Sequence, residues 1–219
     1  MADRAQTVDR LCRAGVVAVV RASSSEQLLD VARALAAGGV DCIEITMTTP
    51  NALAVIEQCR RELGDAILTG VGSVLDPQTA RLAILAGAQF VVSPILNLEI
   101  IQTAHRYGLP CVPGAFTPTE ILTATAGGAD MVKVFPATKL GPEFFRDVLA
   151  PMPHLKLTPT GGVDANTAGD FIRAGACTLG VGSALVSKKA LAEQNYALLT
   201  DTARQFVQIV AEARKAKRQ

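Results

Sequence analysis

Short apolar runs recur along the chain, and each is followed by a stretch of helical periodicity. The runs are Val16–Arg21, Cys42–Thr46, Ile67–Gly70, Phe90–Ser93, Cys111–Gly114, Met131–Phe135, Lys156–Thr160 and Thr178–Gly180. Their starts lie about 20 to 26 residues apart, the length that one strand, one helix and two short loops occupy. Strands that are apolar almost throughout belong to parallel sheets covered on both faces. Eight such units predict an α/β fold closed into a (β/α)8 TIM barrel, with an open doubly wound sheet as the alternative. The helices carry their own boundary signals. Ser23-Ser24-Ser25-Glu26 offers a capping box before a helix that ends at Gly38-Gly39. Asp76-Pro77 supplies an N-cap and a first-turn proline, and Asp164 opens the helix after the seventh strand, with Gly175 closing it. An extra N-terminal helix, about Arg4 to Ala14, would lie over the N-terminal end of the barrel as a lid on its core. The expected plan is one domain over 1–219: a leading helix in 1–15, the barrel strands in 16–186 and a C-terminal helix in 187–219.

Composition narrows the picture. With 49% hydrophobic but only 4% aromatic residues, the core must be built from Val, Ile, Leu and Ala. A net charge of +1 leaves no electrostatic footprint for nucleic acid. The basic end Arg214-Lys215-Ala216-Lys217-Arg218 reads as a frayed, solvated helix terminus. Cys12, Cys42, Cys59, Cys111 and Cys177 lack metal-ligand spacing and read as buried reduced thiols of a cytoplasmic protein. The residues after Met1 lack the apolar core of a signal peptide, and no apolar run reaches the ~18 residues that span a membrane. His105 and His154 are far apart in sequence and offer neither a zinc cluster nor a His-based triad.

Barrels deliver their chemistry from the C-terminal ends of the strands. The sixth strand delivers a lysine: Lys133 lies between Val132 and Val134 and shares a face with Met131 and Phe135. An ammonium is costly to bury without a partner, and a neutral amine attacks carbonyls. A lysine tip can also escape to solvent past a strand end. The second strand carries Glu44 between Ile43 and Ile45, with Thr46 beyond it on the same face. Glu44 and Lys133 fit either a structural ion pair or a Schiff-base lysine with its proton-transfer partner. Lys156 is the competing amine, but it precedes Thr160 by four positions, about 13 Å at ~3.3 Å per residue, and points to the far end. Thr160-Gly161-Gly162 and Gly180-Val181-Gly182-Ser183 follow the adjacent seventh and eighth strands, where barrels often hold a phosphate. One such turn can be merely tight; the pair points to an anion. Arg21, on the face of Val17 and Val19, is either a surface arginine or a clamp for an organic acid, with Gly72 and Ser73 adding an amide and a hydroxyl.

Glu44-Ile45-Thr46, Gly70-Val71-Gly72-Ser73-Val74, Ser93-Pro94, Pro113-Gly114, Lys133-Val134-Phe135-Pro136-Ala137 and Pro159-Thr160-Gly161-Gly162 occur in one order and spacing. From about Val16 to Val186 the chain thereby resembles the class I 2-keto-3-deoxy-6-phosphogluconate aldolases, a family that includes 4-hydroxy-2-oxoglutarate aldolases. The resemblance implies a homotrimeric barrel without a cofactor or metal that cleaves a phosphorylated keto acid to pyruvate and D-glyceraldehyde 3-phosphate. It implies that Lys133 forms the Schiff base and Glu44 shuttles protons. Ser73 stands where the family more often has threonine beside the pyruvyl carboxylate. Pro94 and Phe135 would wall the pocket, Thr46 and Thr160 would adjoin the substrate, and Gly161, Gly162, Gly182 and Ser183 would hold the phosphate. Many members have an arginine where this chain has Thr48, and Arg21 is the expected replacement. An aldolase for the galactonate epimer, another phosphate-binding barrel enzyme (epimerase, isomerase or thiamine phosphate synthase) and a catalytically silent scaffold are the alternatives.

Overall fold

The computed structural model describes residues 3–21 and 25–216. Strands β1 (Val16–Val20), β2 (Cys42–Thr46), β3 (Leu68–Gly72), β4 (Val91–Val92) and β5 (Cys111–Val112) run parallel, and β9 (Leu179–Val181) joins them beside β1. This six-stranded sheet has the order β5-β4-β3-β2-β1-β9. A second parallel sheet holds β6 (Gly114–Ala115), β7 (Val132–Val134) and β8 (Leu157–Pro159). The fifth apolar run is thus two strands, because Pro113 between them has no N–H to continue the ladder. Its carbonyl still accepts from Lys133 N at 2.9 Å. At the other end a parallel bridge joins Thr160 to Gly180. The chain is therefore a parallel α/β fold.

Side chains alternate between two cores. Val16, Ala18, Val20, Ile43, Ile45, Val71, Val132 and Val134 face the helices. Val17, Cys42, Leu68, Phe90, Val92, Val112 and Met131 face the other way and form a separate apolar cluster with Val8 and Leu11. Those two belong to α1 (Arg4–Ala14), so the first helix plugs the inner face where the strands begin. Gly70 makes room there, since a methyl group on it would overlap the Phe90 ring.

Polar anchors hold α1 in place. Arg10 donates to Asp41 Oδ2 at 2.8 Å and to the carbonyls of Asp65 and Ala66, both at 2.9 Å. Arg4 pairs with Asp130 at 3.2 Å. Arg214, near the end of α10 (Tyr196–Ala216), donates to the carbonyls of Cys12, Arg13 and Cys177. At Arg214 this departs from the expected frayed, solvated terminus, since a guanidinium with fixed acceptors is ordered by them; Lys217 and Arg218 lie outside the described residues. Cys12 and Cys177 are only partly buried, contrary to the expected buried thiols. Hydrogen bonding from Cys177 brings the Cys12 thiol down to about 7 against the opposing effect of burial, whereas burial pushes Cys59 up to about 11.

One helix boundary also differs. Asp164 does not cap a helix directly. Its Oδ1 accepts from Asn166 N and Thr167 N, both at 2.9 Å, and α8 (Ala168–Arg173) begins one turn later. The capping box expected over Ser23–Glu26 involves side chains outside the described residues. Asp76 does cap α4 (Pro77–Leu85), accepting from Thr79 N at 2.6 Å. No helix among the described residues is long and apolar enough to cross a membrane.

Candidate active site

Lys133 and Glu44 point inward from β7 and β2 above the α1 plug. Lys133 is 5% exposed and Glu44 3%, with Nζ and Oε1 3.7 Å apart. That separation is an ion-pair distance but exceeds a hydrogen bond. Oε1 is fully buried and has no hydrogen-bond partner among the described residues. A carboxylate oxygen left this way costs stability, so its position needs an account beyond packing. Gly72 gives Glu44 its place: a methyl group at Gly72 would overlap Oε1 and stand 2.5 Å from Cδ. Gly72 therefore supplies space to a carboxylate.

The pair opens onto a cavity of about 660 Å³, within the range of small-molecule sites. Arg21, Thr46, Ser73, Pro94, Phe135, Thr160, Gly161, Gly162, Gly182 and Ser183 all line it. Gly72 stands next to Ser73 and against Glu44, both of which line the cavity. Arg21 is exposed at the rim, directly after β1, the strand between β2 and β9. Ser73 holds a left-handed backbone, φ 60°, which a side chain adopts only when its surroundings enforce it. Phe135 is half-exposed, its ring centroid 5.3 Å from Lys133 Nζ, close enough for a cation–π contact when the amine is protonated. Lys156 is remote from this pair: it acts electrostatically on Cys12, at the α1 end.

The glycines at the cavity rim have steric reasons. Gly161 and Gly162 both have positive φ, 87° and 76°. A methyl group on Gly162 would also overlap Thr138. The turn is locked to the segment after β7, with Ala137 N donating to Thr160 O at 2.9 Å and Thr138 N to Gly161 O at 3.0 Å. Gly180 leaves room for Thr160 Oγ1, and Gly114 lets the Pro94 backbone approach. Two charged residues in the lining, Asp164 and Lys188, are not read as site residues from the sequence. Hydrogen bonds from the Thr167 backbone and hydroxyl hold the Asp164 carboxyl below the usual carboxylate range. Lys188 has no comparable signal in sequence, where it reads as one of two adjacent lysines at a helix start.

Known proteins resemble this chain in sequence and in fold. The family model for KDPG and KHG aldolase matches residues 8–202. The 2-dehydro-3-deoxy-phosphogluconate aldolase of Treponema pallidum is 36% identical over 206 residues, covering 92% of this chain and 96% of its own. The 2-dehydro-3-deoxy-6-phosphogalactonate aldolase of Escherichia coli is 31% identical over 171 residues, 78% of this chain and 83% of its own. Among solved structures, the KDPG aldolase of Legionella pneumophila with pyruvate captured as a covalent carbinolamine superposes with a TM-score of 0.85. Its identity is 27%, and the match covers 91% of this chain and 97% of that one. A match over most of the chain, in sequence and in fold, makes this protein a member of the KDPG and KHG aldolase family.

Proposed function

We propose that the protein cleaves 2-keto-3-deoxy-6-phosphogluconate to pyruvate and D-glyceraldehyde 3-phosphate through a Schiff base on Lys133. Family membership makes it a carbon–carbon lyase. The observation that carries the lysine assignment is the buried pair, a lysine and a carboxylate 3.7 Å apart with one carboxylate oxygen unpaired, opening onto a cavity. A structural ion pair would be better hydrogen-bonded than this one.

The steps follow from the residue types. Glu44 takes the proton from Nζ, and the neutral amine attacks the C2 ketone to give a carbinolamine. The proton on Glu44 then leaves with the carbinolamine hydroxyl as water, and the resulting iminium is an electron sink. Glu44, again a carboxylate, removes the C4 hydroxyl proton. The C3–C4 bond breaks, its electrons pass into the iminium as an enamine, and the aldehyde departs. The enamine takes a proton at C3, and water releases pyruvate and the free lysine. Ser73, Pro94 and Thr46 surround the keto-acid end, Phe135 and Thr160 flank the reacting carbons, and Gly161, Gly162, Gly182 and Ser183 cradle the phosphate. Arg21 takes the carboxylate in place of the arginine absent at Thr48. The two sheets form arcs of one eight-stranded barrel domain, a reading supported by the break at Pro113 and by the Thr160–Gly180 bridge. The active form is a homotrimer, supported by exposed Leu75, Leu82, Leu85, Ile95, Phe116 and Leu122.

Pyruvate and borohydride provide the test. A stable adduct should map by mass spectrometry to Lys133, and its absence from every lysine would remove the Schiff-base mechanism. Arg21→Ala should raise KM for the keto acid about tenfold. Unchanged turnover at low substrate would remove the clamp. The epimeric galactonate acid is the second reading, supported by the E. coli relative. Comparing kcat/KM on the two epimers decides between them.

A further inference from the structure

The cavity's charges do not balance for a phosphorylated substrate if only the residues named above hold it. The phosphate cradle consists of backbone amides and the Ser183 hydroxyl, all neutral. Asp164 lines the same end of the cavity beside Gly162 and stays ionised, because Thr167 donates to it from backbone and hydroxyl. A phosphate dianion entering there meets a fixed negative charge and no assigned cation. Lys133 is committed to the carbonyl, and Arg21 to the carboxylate.

We infer that Lys188 is a further substrate-binding residue, whose ammonium holds the phosphate of the phosphorylated keto acid; this rests on the aldolase reading given above. Lys188 lines the cavity together with Val186 and Leu191 of the same segment, so this stretch faces the substrate space. Its backbone is set by Ser187, whose Oγ accepts from Ala190 N at 3.1 Å and starts α9 (Lys188–Ala192). The adjacent Lys189 turns to Glu193, 4.0 Å away, whereas Lys188 has no carboxylate partner among the described residues. A compact ammonium on a flexible stem suits a terminal phosphate, which presents oxygens over a wide solid angle. The placement also gives selectivity: an acid without phosphate gains nothing from this charge.

The experiment compares kcat/KM for 2-keto-3-deoxy-6-phosphogluconate with that for its dephosphorylated form, 2-keto-3-deoxygluconate, in wild type, Lys188→Ala and Lys188→Arg. The ratio of the two should fall about tenfold in Lys188→Ala and recover in Lys188→Arg. The difference between wild type and Lys188→Ala should shrink as ionic strength rises. A ratio unchanged in Lys188→Ala, or equal losses on both acids, overturns the assignment. Either result leaves the aldolase reading intact as long as wild type cleaves the phosphorylated acid. Wild type that cleaves neither acid overturns that reading itself.

Discussion

Gly72 and Glu44 occupy one place between them. The glycine's missing side chain is the space that the carboxylate fills, and β2 and β3 run in register so that Thr46 lies beside Gly72. In Gly72→Ala the methyl group would push the carboxylate away from Lys133 Nζ. The expected outcome is a fall in kcat of about 10² or more, the scale of lost proton-transfer catalysis, with an unchanged circular dichroism spectrum. A wild-type kcat in Gly72→Ala would show that proton transfer does not need the carboxylate at this spot. From sequence, Gly72 looks like a turn donor beside Ser73. What a neighbouring strand's side chain requires of it becomes visible only with the register. Lys133 and Glu44 were legible for the opposite reason: charged residues inside apolar strands are conspicuous. Lys188 was not, because nothing local separates a lysine facing a cavity from one facing water.

At the scale of elements, hydrophobic periodicity carried most of the fold. Every apolar run overlaps a strand, and α1 has the expected bounds of Arg4–Ala14. The errors lie where a hydrogen bond decides. Pro113 divides a run because it lacks a donor, and Asp164 spends its carboxylate on a turn before the helix begins. Helix caps have a measurable consequence, both at Asp76, a cap expected from sequence, and at Glu120 in the capping box of α6 (Pro118–Ala126), one not expected. Asp76 is held below the usual carboxylate range by Thr79's backbone and hydroxyl, and Glu120 by the backbones of Phe116 and Thr117. A carboxyl depressed in the folded state contributes stability that is fully present above its unfolded value, about 4, and is lost as pH falls through the folded one. The urea midpoint should therefore hold from pH 7 to about 5 and drop below about 4. Asp76→Asn combined with Glu120→Gln should flatten that drop. An identical drop in the double variant would assign the acid sensitivity to other groups.

For the whole molecule, exposed leucines are the informative surface. Leu75, Leu82 and Leu85 are each more than half exposed, at 55%, 54% and 64%, on α4 and the loop before it. Leu85→Asp would place a charge in any interface built on this region, where burial of an unpaired carboxylate is costly. Light scattering should then fall from the mass of three chains towards that of one. A trimer mass that persists in Leu85→Asp would locate the contact elsewhere. The alternation of inward and outward residues gave this chain two separate cores, and only the inner one depends on the first helix.

The hold of Arg214 on Cys12 and Cys177 joins positions 202 and 37 residues apart. Synthesis runs in one direction, so α1 leaves the ribosome long before the last of the guanidiniums that secure it exists. Until Met131 emerges, Val8 and Leu11 rest on a half-built cluster. The catalytic floor of this protein is laid first and fastened late.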